Sequence, residues 1–215
     1  MLTWEQLWSI LGKASRRDRL LLALDMTEAL RPSELFALRW CSFDDYNTLS
    51  ITETVYRRKL RPYGKTPGSM TKVHLPDGLA TELRQWKLEC PDSSADAFIF
   101  PNADGGFLDV ANYRFRVLKP LAEELEIEKL NFQILRRTMA TQAQSMGSVK
   151  DIQAHLRHSA ARYYGARVHA GSAGKCADNG RIRVRNADER RGRKNAVCEF
   201  ATKCHKNFVA DPVTD

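Results

Sequence analysis

Apolar residues recur at intervals of three and four positions over most of residues 1–162, a pattern typical of amphipathic helices. The first such repeat follows Thr3, a residue type that often caps helices, and comprises Trp4, Leu7, Trp8 and Leu11. Residues 18–30 are mostly apolar, which predicts a second, buried helix. Pro32 suits the first turn of a short third helix. Further helices are predicted over four ranges: about 78–89, 111–126, 132–146 and 148–157.

Two segments have the pattern of strands instead. Apolar and polar residues alternate from Leu49 to Val55, and a second strand is predicted over residues 71–75. The basic stretch between them, residues 57–69, is rich in turn-forming residues and predicts a loop. Turns are also predicted at Gly105-Gly106 and at Gly147. The pattern therefore predicts a mainly α-helical chain with a few strands.

The composition changes after residue 162. Residues 163–215 contain no Leu, Trp, Met or Gln, and they have 11 Lys and Arg against 6 Asp and Glu. No periodic apolar face is recognisable there, so this composition predicts a basic, disordered tail. The sequence thus divides into a folded segment, 1–162, and a tail, 163–215.

The overall composition excludes some classes of protein. No apolar run is long enough to cross a bilayer, and the N-terminus lacks the pattern of a signal peptide. Five irregularly spaced cysteines do not resemble a disulfide framework, so a reducing, cytoplasmic setting is expected. The formal net charge of +8 is compatible with a nucleic-acid partner but does not require one.

Three short motifs carry the candidate chemistry. Arg31 precedes Pro-Ser-Glu-Leu, Lys65 lies in Tyr-Gly-Lys-Thr-Pro-Gly, and Arg136 is followed by the box His155-Leu-Arg-His158-Ser. Taken singly, each has an ordinary structural interpretation: a surface arginine, a turn lysine and a histidine at a helix end. Their order along the chain makes coincidence a poor explanation.

Across residues 2–162 the sequence resembles the catalytic domain of the tyrosine recombinase (phage integrase) family. Members carry a block Leu-Arg-x-x-Glu-Leu-x-x-Leu-x-Trp, which the chain matches from Leu30 to Trp40. They also carry a lysine on a β-hairpin loop, matched by Lys65. Their His-x-x-Arg and Leu-Gly-His boxes are matched by Gln133-Ile-Leu-Arg136 and Leu156-Arg-His158. The resemblance implies an α+β, mainly α-helical fold with a small antiparallel sheet.

The resemblance also implies roles for these residues in cutting duplex DNA. Arg31 and Arg136 would clamp the non-bridging oxygens of the cleaved phosphate, since guanidinium groups bind them bidentately and remain charged. Lys65 would donate a proton to the departing 5′ oxygen, and His158 would hydrogen-bond the same phosphate. Members need no metal and no cofactor, and they act as homo-oligomers on paired DNA sites.

The sequence departs from the family pattern at three points. Gln133 replaces a histidine, and an amide donates a hydrogen bond but cannot transfer a proton. Ala29 stands where glycine is common, so the turn before Arg31 is expected to be strained. The chain begins almost at the catalytic domain, without the family's N-terminal DNA-clamping domain, so we expect weak, salt-dependent DNA binding.

The family's nucleophile is a tyrosine about ten residues after the histidine of the second box. Val168 occupies that position, while Tyr163 and Tyr164 follow His158 by only five and six residues. A helix rises about 1.5 Å per residue, so this shortfall displaces the hydroxyl by several ångströms. Tyr164 therefore remains a poor candidate for the nucleophile, and the segment that should carry it is missing.

A shift of reading frame would explain the missing tyrosine. Read one nucleotide further on, the codons of Tyr163-Tyr164 permit Thr-Thr, and those of Val168-His169 permit Tyr-Met, at the expected spacing from His158. The hypothesis is that a frameshift lies between His158 and Tyr163 and that residues 163–215 are out of frame. Codon degeneracy permits this interpretation without requiring it, and a sequencing error would produce the same pattern.

Three functions remain open on the sequence alone. The first is a site-specific recombinase or integrase, impaired in this copy, acting on double-stranded DNA in the cytoplasm at the nucleoid. The second is a catalytically inactive DNA-binding remnant of a mobile element. The third is a small helical interaction module in which the motifs are coincidental. Cys198, Cys204 and His205 lack the paired spacing of a zinc site, so no metal is expected.

Overall fold

A computed structural model describes residues 1–62 and 71–143, which form seven α-helices and four short β-strands. The helices are α1 (Trp4–Lys13), α2 (Arg16–Glu28), α3 (Pro32–Leu35), α4 (Asp77–Glu89), α5 (Val110–Tyr113), α6 (Lys119–Glu124) and α7 (Phe132–Ala143). The strands are β1 (Thr48–Ser50), β2 (Thr54–Tyr56), β3 (Lys59–Arg61) and β4 (Lys72–His74). A 3-10 turn covers Trp40–Ser42, and one wide π-type turn, Arg114–Leu118, joins α5 to α6.

Helix α1 begins where the sequence predicts. The Thr3 side chain accepts a hydrogen bond from the backbone N–H of Gln6, and the Gln6 side chain accepts one from the backbone N–H of Thr3. This reciprocal capping satisfies two backbone donors that the first turn of a helix leaves unpaired. Leu7, Ile10 and Leu11 form the buried face.

Helix α2 is the central element of the described fold. Its residues from Leu20 to Glu28 are buried, and it contacts α1, α3, α4 and α7. The helix begins and ends two residues earlier than the predicted range 18–30. Ser15 caps its N-terminus by accepting from the backbone N–H of Asp18, and Ala29 adopts a left-handed conformation, φ +47°, which ends it. The strain expected at Ala29 is therefore confirmed.

The predicted strand from Leu49 to Val55 is two strands, because the chain changes its pairing partner at this point. Strand β1 pairs antiparallel with β4, with Leu49 opposite Val73, whereas β2 pairs antiparallel with β3, with Val55 opposite Leu60. The prediction of a loop over all of residues 57–69 was therefore wrong for β3. Its Leu60 is half-buried across from the buried Val55, and this cross-strand contact holds the hairpin.

The structure agrees closely with the remaining predicted elements in the part of the chain that it describes. Helix α4 and the turn at Gly105, with φ +80°, are confirmed. The predicted helix 111–126 is the helical run from α5 through the π-type turn to α6. The helix 148–157, the turn at Gly147 and the disordered tail 163–215 lie outside the described residues, as do residues 63–69 of the predicted loop and residues 144–146 of the helix predicted over 132–146.

An aromatic cluster fixes α3, α5 and α7 relative to one another. Phe36 follows α3, Tyr113 ends α5 and Phe132 begins α7, and the three ring centroids lie 5.4 to 5.7 Å apart. Ring pairs at such distances stabilise a fold by about 0.5–1.5 kcal/mol beyond the burial of their surface. Among the described residues, no helix is both long and apolar enough to span a membrane.

The left-handed backbone of Ala29 gives the first testable prediction. The Ala29 side chain is 1% exposed and packs against Ala140 of α7, so a larger, β-branched side chain there meets both backbone strain and crowding. We expect Ala29→Val to lower the free energy of unfolding by about 2 kcal/mol or more. Ala29→Gly should change it by less than about 1 kcal/mol, because the relieved strain offsets the lost methyl contact. Urea denaturation of the three proteins measures this, and equal midpoints for Val and wild type would contradict it.

Candidate active site

Arg31 lies at the point where the left-handed turn after α2 leads into α3. It is the N-cap residue of α3, and Pro32 occupies the first helical position, where its missing N–H costs no hydrogen bond. The Arg31 side chain is 27% exposed, so the guanidinium is partly accessible to a ligand.

Glu34 holds Arg31 in place by two contacts. One of its carboxylate oxygens accepts a hydrogen bond from the Arg31 backbone N–H at 2.9 Å, and the other accepts from the guanidinium Nη1 at 2.8 Å. The Glu34 side chain is 1% exposed, so the ion pair is shielded from water on the carboxylate side. A shielded carboxylate restricts the arginine to one orientation and lowers the entropy that it loses on binding an anion.

Arg136 reaches the same turn from helix α7. Its Nη1 donates a hydrogen bond to the backbone carbonyl of Ala29, which lies two residues before Arg31 in the chain. Two successive Cα–Cα steps span at most about 7.6 Å, so this contact brings the Arg136 guanidinium to the backbone beside Arg31. The structure thus brings together two of the predicted site residues that are 105 positions apart in the sequence.

Asp25 is an acidic residue of this region that the sequence analysis missed. It lies on α2, one helical turn before Ala29, and neither of its buried carboxylate oxygens has a hydrogen-bond partner within the described part of the chain. Burial raises the pKa of this carboxyl well above its ordinary value, and the positive charge of Arg136 acts in the opposite direction. An aspartate inside the apolar run 18–30 was the signal in the sequence that could have identified it.

Gln133 lies on α7 one turn before Arg136, so the two side chains share a face of the helix. Gln133 is exposed, and Arg136 is half-buried. The opposite face of α7 is fixed in the protein: Leu135 is buried, and the Thr138 hydroxyl accepts a hydrogen bond from the backbone N–H of Leu2 at 3.1 Å. The helix therefore presents Gln133 and Arg136 from a rigid support.

Three of the predicted site residues, Lys65, His158 and Tyr164, lie outside the described residues. In residues 1–62 and 71–143 no group of three or more His, Cys, Asp or Glu side chains is arranged to hold a metal ion. The geometry described here is that of two arginines at one turn, an arrangement able to bind an anion such as a phosphate group.

The comparison with known families matches most of the chain. Residues 1–167 match the family model described as the phage integrase family. Among curated proteins, the chain is similar to the tyrosine recombinase XerC of Xanthomonas axonopodis pv. citri (strain 306), with 27% identity over 145 residues. That match covers 66% of this chain and 43% of the relative, so the chain spans less than half the length of the curated relative.

Solved structures show the same fold. The chain is similar to the integrase of the Tn1549 transposon, whose structure was solved in complex with circular intermediate DNA, with a TM-score of 0.62 and 18% identity. It is also similar to the XerA recombinase, with a TM-score of 0.58 and 17% identity. Each match covers 74% of this chain, and they cover 59% and 56% of the respective neighbours. These likenesses confirm the expected helix-rich α+β fold with its small antiparallel sheet.

The raised pKa of Asp25 gives a prediction for the pH dependence of stability. The unfolded carboxyl titrates near about 3.9, so between that pH and the higher folded pKa the folded protein binds the extra proton. Raising the pH through this interval should therefore destabilise the wild type, with a contribution from this group of up to about 1.4 kcal/mol per pH unit. Asp25→Asn removes that contribution.

The measurement is the free energy of unfolding of both proteins in urea between pH 4.5 and 7. We expect the difference between them to change steadily with pH in favour of Asp25→Asn. Two curves that run parallel over the whole interval would mean that the carboxyl has no raised pKa.

Proposed function

Because the chain belongs to the phage integrase family, we propose that it is a site-specific DNA recombinase whose chemistry is the cleavage and rejoining of DNA strands through a 3′-phosphotyrosine. The observation that carries the proposal is the contact of Arg136 with the Ala29 carbonyl, beside Arg31. Two guanidinium groups, supplied by separate helices and held at one turn, suit the binding of one phosphate from two sides. Duplex DNA is the partner that this chemistry implies.

In this proposal Arg31 and Arg136 stabilise the charge that builds up on the phosphate oxygens as the strand is cut. Donors fixed in advance at such a position need not reorganise during the reaction, and losing one of them costs about two to three orders of magnitude in rate. Glu34 supports Arg31 in its orientation, and the Ala29 carbonyl does the same for Arg136. The two arginines are thus restrained before the DNA arrives.

The other residues of the motif complete the reaction in the proposal. Lys65 protonates the departing 5′ oxygen, and His158 hydrogen-bonds the phosphate. Gln133 lies one turn from Arg136 and donates an amide hydrogen bond to a phosphate oxygen, without the proton transfer of the family's usual histidine. No metal ion and no cofactor enters this scheme.

The nucleophile is where this copy is proposed to be impaired. Val168 lies ten residues after His158, where a tyrosine is required, and Tyr164 is four residues too early. We propose that residues 1–162 are the catalytic domain and that residues 163–215 are the product of a shifted reading frame. An intact relative would act as a homo-oligomer on paired DNA sites.

The second candidate is a DNA-binding remnant of a mobile element that has lost its chemistry. The observation that favours it is the valine at the position of the nucleophile. Such a remnant keeps the arginine pair and its affinity for DNA but forms no covalent bond with it. The two candidates therefore differ in one measurable product, the covalent protein–DNA adduct.

The adduct gives the test of the proposed chemistry. The full chain is incubated with labelled duplexes that cover the DNA on either side of its own gene, and covalent adducts are separated on a denaturing gel. Where the wild-type chain forms an adduct, Arg136→Ala should lower its rate of formation about 100- to 1000-fold. The rate for Arg136→Lys should fall between the rates for the wild type and for Arg136→Ala, because lysine keeps the charge and loses the bidentate geometry. Arg116→Ala removes an equal charge from an exposed site and should leave the rate unchanged.

Adduct formation that is insensitive to Arg136 would overturn the proposed role of that residue. If none of the proteins forms an adduct while all bind DNA, the chain is the inactive remnant.

The frameshift has a separate and simpler test. Resequencing the coding DNA from codon 150 onward, and translating all frames, should reveal Thr-Thr followed by Tyr-Met ten codons after His158. We expect that frame to continue as an amphipathic helix. If no tyrosine stands at that position, the frameshift hypothesis is wrong, and Tyr164 or a tyrosine from a second molecule must form any adduct.

A further inference from the structure

The hairpin formed by β2 and β3 carries positive charge that the described protein does not neutralise. Its turn and the following residue are Arg57, Arg58 and Lys59, and all three side chains are exposed. Within residues 1–62 and 71–143, none of them forms an ion pair with a carboxylate. Three adjacent like charges repel one another, so this tip is less stable as an isolated feature than a neutral one.

The backbone conformation of the turn lowers its stability further. Arg57 and Arg58 both adopt left-handed conformations, with φ of +49° and +60°. A two-residue hairpin turn of this kind is usually built from Asn-Gly or a similar pair, because other side chains are strained there. The two arginines are therefore a poor choice for stability, and strain of this kind is concentrated at functional positions.

An exposed aromatic ring contacts one arginine of the tip and one at the base of the hairpin. Tyr56 is 47% exposed, and the Arg61 guanidinium carbon lies 4.3 Å from its ring centroid, while that of Arg57 lies at 5.3 Å. Cation–π contacts hold both guanidinium groups in defined positions. Ordered arginines lose less entropy when they bind an anion than freely rotating ones do.

The base of the hairpin is connected to the candidate active site. Thr54 and Val55 are buried, and β2 packs against α3, the helix that begins directly after Arg31. A strand rises about 3.3 Å per residue, so the tip lies about 10 Å beyond this base. A duplex is a long polyanion with one charge per about 1.7 Å of its axis, so a duplex bound at Arg31 offers many further phosphates at this range.

We propose that the β2–β3 hairpin is a second DNA-binding element, which contacts the phosphate backbone of duplex DNA away from the phosphate that is cut. The proposal rests on the proposed function, because it takes duplex DNA as the partner. The contacts of the hairpin with the phosphate backbone do not depend on the DNA sequence. They supply affinity and orientation rather than chemistry. The arginines at the tip bind phosphate oxygens, and Tyr56 keeps the Arg57 guanidinium group in place.

The test measures the salt dependence of DNA binding by the full chain. Fluorescence anisotropy of a labelled 30-base-pair duplex is recorded over a series of salt concentrations. The variant Arg57→Gln/Arg58→Gln/Lys59→Gln should reduce the slope of log affinity against log salt by about 2 to 3, and affinity near 0.1 M salt by about 100-fold.

The matched control is Lys13→Gln/Lys119→Gln/Lys129→Gln. It removes the same charge from three exposed lysines that each already contact a glutamate, so its slope should equal that of the wild type. Thermal unfolding of every variant checks that it is folded.

Each outcome has a definite meaning. If the wild type binds the duplex and the hairpin variant keeps its slope, the hairpin proposal fails while the proposed function stands. If the wild type itself shows no salt-dependent binding, the proposed function fails. Equal losses in the hairpin and control variants would reveal a general effect of net charge and would overturn the proposal. A loss of affinity for single-stranded RNA without one for the duplex would identify RNA as the partner and overturn it as well.

A second variant separates function from folding. Arg57→Asn/Arg58→Gly places the favoured residues at the turn, so it should raise the midpoint of thermal unfolding while it weakens DNA binding. A structural defect would lower both properties together. An unchanged DNA affinity in this better-folded variant would contradict the proposal.

Discussion

The hydrogen bond from Arg136 to the carbonyl of Ala29 is the interaction on which the site depends. It is possible because α2 ends at Ala29 in a left-handed turn, which leaves backbone carbonyls of the last helical turn without partners inside the helix. The guanidinium of a distant helix satisfies one of them. The same turn directs the chain into α3 and so places Arg31, which means that one helix end positions both arginines.

The packing around this turn makes the arrangement rigid. The rings of Phe36 and Phe132 belong to the chain beside α3 and to α7, and their centroids lie 5.7 Å apart. Each ring is only a few residues from one of the arginines. Cores of this kind are close-packed, so neither helix can shift without disturbing the other. The aromatic cluster thus sets the separation of two charged groups that would otherwise repel each other.

An acidic side chain lies near each of the two arginines. Glu34 pairs directly with Arg31, and the pair combines a buried carboxylate with a guanidinium that stays partly exposed. Asp25 is buried near Arg136 without a hydrogen-bond partner in the described part of the chain, so burial favours its neutral form. Arg31 is therefore held by a charge pair, and a backbone carbonyl is one of the groups that hold Arg136.

The sequence by itself determined the family, the helices α1 to α4 and α7 to within a few residues, and the identity of the two arginines. Periodic apolar residues and capping residues specify the helices locally, and the spacing of the motif specifies the family and the two arginines. Only the tertiary structure decided that Arg136 contacts Ala29 and that the buried Asp25 carboxylate has no hydrogen-bond partner among the described residues. It also decided that residues 59–61 form a strand paired with residues 54–56, where a loop from residue 57 was predicted. These features depend on contacts between residues that are distant in the chain or on the choice of a strand's partner. Local sequence patterns carry little information about long-range contacts or about strand pairing, because packing against the rest of the protein decides both.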